Sequence, residues 1–415
     1  MSSELASNVK RYRLAAGFSQ ESLAEAAGLS VKTVQKVEQG GDARTETLHT
    51  LARALKVTTS ELFAAGSPAP VVGDEATRRN LVAFRSILMP PLGLDGPVGT
   101  PAGDGGAAGA RQQVAHALSL YRASELDSVA RALPGLLQRT QTAVTTAEGE
   151  EARQAATIHA EALYVAGKYL TQVRQYDLAY MAIAEGIRVA RTAGHQHLAT
   201  IGVVGMGWLL LRQNRFGECY ALAVATAERV EPKISEASRT RMAVWAELWM
   251  RAAAAAVRDN RPDEAKHARK MVSRAVAGME SEDDSWPGSW GGVGPITAEL
   301  KRVEDILLVS RNSADAREVL DRADEGVLSA RARRQIGMPS GSNWVRHRLV
   351  VASAHTLLGA HQDAMDELIR VRRTRGEWMR HQPLARKVMG DILKTRSRTL
   401  TADMREVAAH LGVSG

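Results

Sequence analysis

The sequence predicts an all-α chain, and three observations carry that prediction. Apolar residues recur at helical spacing from Leu5 almost to the C-terminus. From Arg111 onward no stretch alternates as a strand does. A short turn signal recurs six times after residue 120, each time next to a helix-period stretch. Together they divide the 415 residues into a head of five short helices (1–66), a linker with one possible helix (67–110) and a stack of helix pairs (111–415).

The head is organised around Ser19–Gly40, SQESLAEAAGLSVKTVQKVEQG. Ser19 can accept a hydrogen bond from a free backbone N–H and start a helix. Leu23, Ala24 and Ala27 then follow at helical spacing. Gly28 supplies the positive φ of a tight turn. Ser30 is a second N-cap, Val34 and Val37 face inward, and Gly40 and Gly41 end the second helix. Two short helices across a glycine turn is the layout in which the second helix enters the DNA major groove. Flanking helices are expected at Leu5–Ala16, Thr45–Leu55 and Thr59–Ala65.

After the head, Gly66–Gly73 breaks the pattern, and Asp74–Leu88 reads as a helix with Leu81, Phe84 and Leu88 on one side. Pro90–Gly109 is Gly/Pro-rich without periodicity and reads as a flexible linker. The six turn signals are Leu126–Val129, Tyr176–Ala179, Phe216–Cys219, Pro262–Ala265, Ser313–Ala316 and His361–Ala364. Small residues at Ala166–Gly167, Met206–Gly207 and Ala252–Ala253 let neighbouring helices approach closely, and Trp249 is a large anchor early in its helix. The expected result is six helix pairs from Arg111 to Arg375 and a closing helix over Pro383–Lys394.

The pattern SQxxLAxxxGLSxxTVxxxExG resembles the signature of Xre/Cro-type helix-turn-helix regulators, over about residues 4–66. That resemblance implies a five-helix, lambda-repressor-like DNA-binding domain. The helix pairs resemble degenerate tetratricopeptide (TPR) repeats stacked as an α-solenoid. Their spacing of 40–51 residues exceeds the usual 34. The whole chain resembles actinobacterial Xre-type regulators with a C-terminal TPR region, and more loosely the peptide-pheromone-receptor regulators of other Gram-positive bacteria.

Charge and cysteine content bound the remaining possibilities. The net charge of +8 points to an acidic partner, yet residues 1–66 hold eight Lys/Arg against seven Asp/Glu. Affinity for DNA would therefore come from groups aimed at phosphates, not from the head's bulk charge. No apolar run approaches the ~20 residues of a membrane span, and the polar N-terminus has no signal-peptide pattern. A single cysteine, Cys219, excludes an internal disulfide and a cysteine zinc site, which fits a reducing cytoplasm; it reads as a small buried residue. No phosphate loop, HExxH helix or GxSxG elbow is present, and the histidines lack ligand spacing, so neither enzyme chemistry nor a metal or cofactor is expected.

The candidate DNA contacts are Ser30, Val31, Lys32, Thr33 and Lys36 at the start of the second helix of the motif. Lys32 and Lys36 lie one turn apart, where a lysine can donate to guanine O6 and N7; Val31 or the Thr33 methyl can meet a thymine methyl. In the resembled family the glutamine at Gln20 bonds a phosphate, and Arg44 is expected as a second phosphate clamp. Glu38 is expected to tie the motif's own backbone or basic side chains, because a carboxylate near phosphates is repulsive. Such domains usually pair on a pseudo-palindromic operator, which implies a homodimer.

With the first helix of each pair lining the concave face, Tyr164, Lys168, Trp208, Met250, Lys301, Asp305 and Arg346 point inward. They would suit a peptide, a small amphipathic effector or a protein partner. Glu280–Pro295, ESEDDSWPGSWGGVGP, is either an exposed loop whose tryptophans cap helix ends or a lid over the groove. Arg370–Arg398 holds ten Lys/Arg against two Asp/Glu, read either as a solvated face or as a contact to an acidic partner. The function expected is a sequence-specific transcription regulator with a sensing and dimerising repeat domain. The alternative is a TPR adaptor whose head is vestigial.

Overall fold

The computed structural model describes residues 3–16, 18–41, 43, 45–55, 57, 59, 62, 75–94, 96–97, 109–233, 237–282, 288–309, 312–395 and 400–413. The fold is all-α. The head contains α1 (Ser3–Ala15), α2 (Gln20–Ala27), α3 (Val31–Glu38) and α4 (Thr45–Ala54). Of the expected fifth helix only Thr59 and Leu62 are among the described residues, and Leu62 is fully buried. Leu5, Val9, Leu23, Val34, Val37, Leu48 and Leu51 pack with it as one small core.

The local chemistry that starts and stops these helices is as the sequence implies. Ser19 and Ser22 form a reciprocal capping box, each side chain meeting the other's backbone N–H. Gly28 closes α2 at φ 62°, ψ 32°, a left-handed conformation that only glycine adopts without cost. Leu29 N–H then bonds Ala24 O at 2.8 Å, which fixes the angle at which α3 leaves the turn.

Helix α5 (Glu75–Leu88) falls in the stretch assigned to the linker, yet it packs on the array. Phe84 is fully buried and stacks on Tyr169, with ring centroids 5.6 Å apart. Beyond it, Leu92–Gly93 pairs antiparallel with Gly96–Pro97, a two-residue ladder inside the Gly/Pro-rich stretch. Residues 98–108 of that stretch lie outside the described residues.

Six helix pairs follow: α6 (Ala110–Ala123) with α7 (Leu126–Thr146), α8 (Gly149–Gln172) with α9 (Tyr176–Thr192), and α10 (Gln196–Arg212) with α11 (Phe216–Arg229). Then come α12 (Arg239–Arg258) with α13 (Pro262–Val276), α14 (Pro295–Val309) with α15 (Ser313–Arg322), and α17 (Gly341–Leu357) with α18 (His361–Arg380). The short α16 (Ala330–Ile336) lies between the last two pairs. Helices α19 (Pro383–Thr395) and α20 (Ala402–Leu411) end the array; the sequence indicated the first of these but not the second.

Every one of the six turn signals marks the start of a pair's second helix. The device inside five of them is a single left-handed residue two positions earlier: Ser124, Arg174, Asn214, Asn260 and Gly359. Such a residue reverses the chain in two steps. Its N–H closes onto the end of the preceding helix, as Ser124 N does on Tyr121 O at 3.0 Å. The first helices sit inside the stack. Helix α8 is buried on nearly every side from Ala155 to Gln172, and α12 from Met242 to Ala256. Cys219 is fully buried, donates to Gly207 O at 3.3 Å, and burial pushes its thiol up to about 12.

The array's two ends meet. Helix α7 has no capping side chain of its own at Glu125. Its Leu126 and Asp127 N–H groups donate instead to Glu377 Oε2, at 2.5 and 3.3 Å. Arg375 leaves helical geometry (φ −147°, ψ 53°) and donates to Arg122 O and to Ser124 Oγ. Arg174 donates to His381 O at 3.3 Å. The last pair and the closing helix thus cap the first two pairs across some 250 residues of sequence, as the 251-residue separation of Leu126 and Glu377 shows.

Candidate DNA interface and the cavity of the helical array

In the head, α3 presents one face outward. Val34 and Val37 are buried, so Lys32 and Lys36 on the opposite side are exposed. Ser30 caps the helix: its hydroxyl accepts from Thr33 N–H at 3.1 Å and lies 2.8 Å from the Thr33 hydroxyl. Both polar groups of the helix start therefore engage each other while Ser30 stays exposed. Val31 is half-buried against the head's core, so less of it faces outward than the sequence implied. The stem of Lys36 lies against Gly41, where a methyl group would come within 2.6 Å of its Cγ.

Glu38 is the lock of the motif. Arg13 of α1 grips it in bidentate fashion, Nε to Oε1 at 2.6 Å and Nη2 to Oε2 at 3.1 Å. Arg13 also donates to Phe18 O at 2.9 Å. Burial opposes the Glu38 charge, but the hydrogen bonds from Arg13 and Gln20 and the Arg13 charge hold its carboxyl below the usual range. The result ties α1, α2 and α3 at one point.

Gln20 stands at the first turn of α2 and donates to Glu38 Oε2 at 2.8 Å. The amide that the resemblance assigns to a phosphate is thus oriented by Glu38. Arg44 lies outside the described residues.

The concave side of the array holds a solvent-open cavity of about 490 Å³. Lys168, Trp208, Met250, Lys301, Asp305 and Arg346 line it, six of the seven inward positions expected. Tyr164 is the correction. It is 2 % exposed and points into the seam between α9 and α10. Glycines leave room for its ring there: a methyl at Gly186 would lie 2.5 Å from Tyr164 Cε1. Its hydroxyl donates to Leu198 O at 3.0 Å. A phenol with a satisfied hydroxyl inside a helix seam is core, not groove.

Sequence reasoning missed several lining residues. Arg212 lies one turn beyond Trp208, and Ala254 and Arg258 lie one and two turns beyond Met250. Carrying each inward position on by four residues would have found them. Arg375, Trp378 and Gln382 also line the cavity, from the far end of the chain. No local pattern signals them, because long-range closure brings them there.

The loop after α13 enters this groove. Trp290 is 8 % exposed and lies beside Trp208 and Tyr164, with centroids 6.1 and 6.3 Å away. Lys168 Nζ sits 4.2 Å over its ring. A methyl on Gly205 would overlap the indole, so this position of α10 is open for the ring. Glu247, itself buried, accepts from Trp290 N–H at 3.1 Å and from Ser289 Oγ at 3.1 Å and so anchors the loop. Of the two expectations for this loop, the groove-covering one describes Trp290; Trp286 lies outside the described residues.

Electrostatically the cavity is basic. Arg258, Lys301 and Arg346 converge on one carboxylate, Glu304, at 3.1, 3.2 and 2.6 Å. Burial opposes the Glu304 charge, yet these three cations hold it well below the usual carboxylate range. Burial pushes Lys168 down to about 7, against the pull of Glu247.

The basic run 370–398 is largely committed to the fold. Arg372 pairs with Glu406, Arg386 donates to Leu411 O at 3.1 Å, and Lys387 and Lys394 flank Asp391. Among the described residues no three His, Cys, Asp or Glu side chains converge as a metal ion would need. No helix of the described residues is long and apolar enough to cross a membrane.

Comparison with known families and proteins agrees with the head's geometry. The helix-turn-helix family model matches residues 9–62. A search of curated proteins returned no significant match. The capped α2, the Gly28 turn, the outward lysines of α3 and this match identify residues 9–62 as a helix-turn-helix domain of Xre/Cro type, the DNA-binding element of a transcription regulator.

Proposed function

We propose that the protein is a sequence-specific, non-enzymatic transcription regulator that binds DNA as a homodimer and whose TPR-like array senses a small molecule. The observation that carries the first part is the outward pair Lys32 and Lys36 on a helix whose opposite face is fixed by Val34 and Val37. Exposed donors one turn apart on a rigid helix match the spacing of base edges in a major groove. Gln20, aimed by Glu38 at the first turn of α2, would hold a phosphate and set the register. Two heads on a pseudo-palindrome require a dimer, which the array would supply.

The cavity's size favours a small molecule over the other occupants considered. A partner helix is about 10–12 Å across with its side chains, and Trp290 occupies part of the concave face beside Trp208 and Lys168. The cavity of about 490 Å³ lies within the range of small-ligand sites. The adaptor alternative, which needs an open groove for a protein, loses support for the same reason.

A gel-shift panel of operator variants tests the DNA assignment. Lys32→Ala relaxes preference at one or two base pairs, whereas Gln20→Ala weakens binding to all sequences about equally. Wild-type behaviour from both variants would remove the assignment.

A further inference from the structure

The cavity carries more positive charge than the protein itself answers. Nine arginine and lysine side chains line it against two carboxylates, Glu304 and Asp305. Glu247, buried behind Trp290, and Glu161, which acts on Lys168 from its own helix, raise the acidic total only to four. Taking unanswered charge out of water is costly, so an excess this size calls for a counter-charge.

Among the described residues, three of these cations form no salt bridge, although Glu247 draws on Lys168 and Arg251 through space. Lys168 is 3 % exposed, and its one close partner is the face of Trp290. Arg212 and Arg251 reach backbone carbonyls at 3.4–3.5 Å, the outer limit of a hydrogen bond, and Arg212 also meets the Tyr176 hydroxyl.

Among the described residues, four that line the cavity also carry a buried N–H donor with no protein acceptor, at Gln172 Nε2, Arg212 Nε, Arg269 Nη1 and Trp290 Nε1, but these atoms lie behind the cavity surface, so the cationic groups are what a ligand meets.

We propose that this cavity binds a nucleotide-like polyanion, a flat ring joined to two or more phosphates. The proposal deepens the small-molecule sensor described above and rests on it. The phosphates lie against Lys168, Arg212 and Arg251, whose planar guanidiniums match phosphate oxygens in pairs. The ring lies against Trp208, which is only half-buried and lines the same space.

Isothermal titration of the full-length protein with adenosine, AMP, ADP, ATP and inorganic tripolyphosphate tests it, without magnesium and at about 150 mM salt. The cationic wall reads phosphates whatever the base, so the adenine series is a fair probe. Affinity should climb with each phosphate, by at least about tenfold from AMP to ATP, the worth of one charge-assisted hydrogen bond. Adenosine should give no heat. Lys168→Met and Arg212→Gln, checked for folding by circular dichroism, should each weaken ATP by a similar factor. Lys32→Ala combined with Lys36→Ala in the head should leave ATP affinity unchanged.

Equal binding of adenosine and ATP overturns the proposal. So does ATP binding lost only in the head variant, and so does the absence of binding by every phosphate compound. A gel shift with added ATP separates the two ideas. ATP that fills the cavity and leaves operator affinity unchanged keeps the anion site and removes the sensor role.

Discussion

Gly205 and Trp290 give the sharpest test of the filled groove, because the structure predicts a change of sign and not just a loss. Gly205 lies in the middle of α10, where a methyl group would fall inside the indole of Trp290. In an unobstructed helix, glycine to alanine gains about 0.8–1 kcal/mol. Overpacking a closed site costs about 1–3 kcal/mol. The second term wins here, because the ring is 8 % exposed and held by Glu247 through its own backbone N–H. Gly205→Ala should therefore destabilise by up to about 2 kcal/mol. Trp290→Ala alone should cost about 3–5 kcal/mol. In the Trp290→Ala background the obstruction is gone and the helix preference is left. There Gly205→Ala should stabilise by up to about 1 kcal/mol. Urea unfolding of the four proteins, followed by far-ultraviolet circular dichroism, closes the cycle. Gly205→Ala moving the midpoint in the same direction in both backgrounds would refute the placement of Trp290 on α10.

Three further outcomes follow from other contacts. Glu38→Gln leaves the Arg13 guanidinium facing a neutral amide in a pair whose side chains are 9 % and 4 % exposed. The head should lose about 3 kcal/mol, read as a lower first melting transition and weaker operator binding by the full chain. Lys168 is the pH probe; Glu161, Glu247 and Arg122 act on it from its own and neighbouring helices, and its pKa falls to about 7. The unfolded chain holds that proton to higher pH, so the ligand-free protein should gain stability as pH rises from about 7 toward the ordinary lysine range. Lys168→Met should abolish that gain in thermal melts across the window. Glu377→Ala removes the cap on Leu126 and Asp127. It should cost about 1 kcal/mol and raise the radius of gyration in small-angle scattering as the ends part; an unchanged radius would count against closure by this contact.

What the sequence disclosed and what it hid divide along a physical line. Each turn signal was local: a left-handed residue such as Asn214 or Asn260, then the first turn of a helix beginning at Phe216 or Pro262. The inward row of the first helices was equally local, since a period of 3.6 places Lys168, Trp208 and Lys301 on the concave face before any packing is known. Tyr164 shows where that logic ends. It lies one turn from Lys168 on the same row, but Gly186 and Gly202 on neighbouring helices open a slot that takes the ring away from the groove. Helix α5 was legible as a helix, with Leu81 and Phe84 on one side; that its partner would be Tyr169 of the array was not. Arg375, Glu377 and Trp378 belong to the hidden class altogether. In sequence they sit within a basic run that reads as a solvated surface, and only a closed array reveals that they face Arg122 and Leu126.

That closure also decides what the cavity can do. Its walls come from both ends of the array: Lys168 and Arg212 from the early pairs, Arg346, Arg375 and Trp378 from the last. A ligand touching both walls has more partners when the ends meet than when they part. Such a ligand binds one conformation better than the other, which is the condition for shifting an equilibrium, since equal affinity for both would shift nothing. Among the described residues the closing contacts include one carboxylate cap, one kinked arginine, and arginine-to-carbonyl bonds at 3.3 and 3.5 Å. On the anion site proposed above, the surplus of cations between the same walls would oppose closure until an anion arrived. If that site is filled as proposed, the charge on the ligand would be the charge that holds the two ends together.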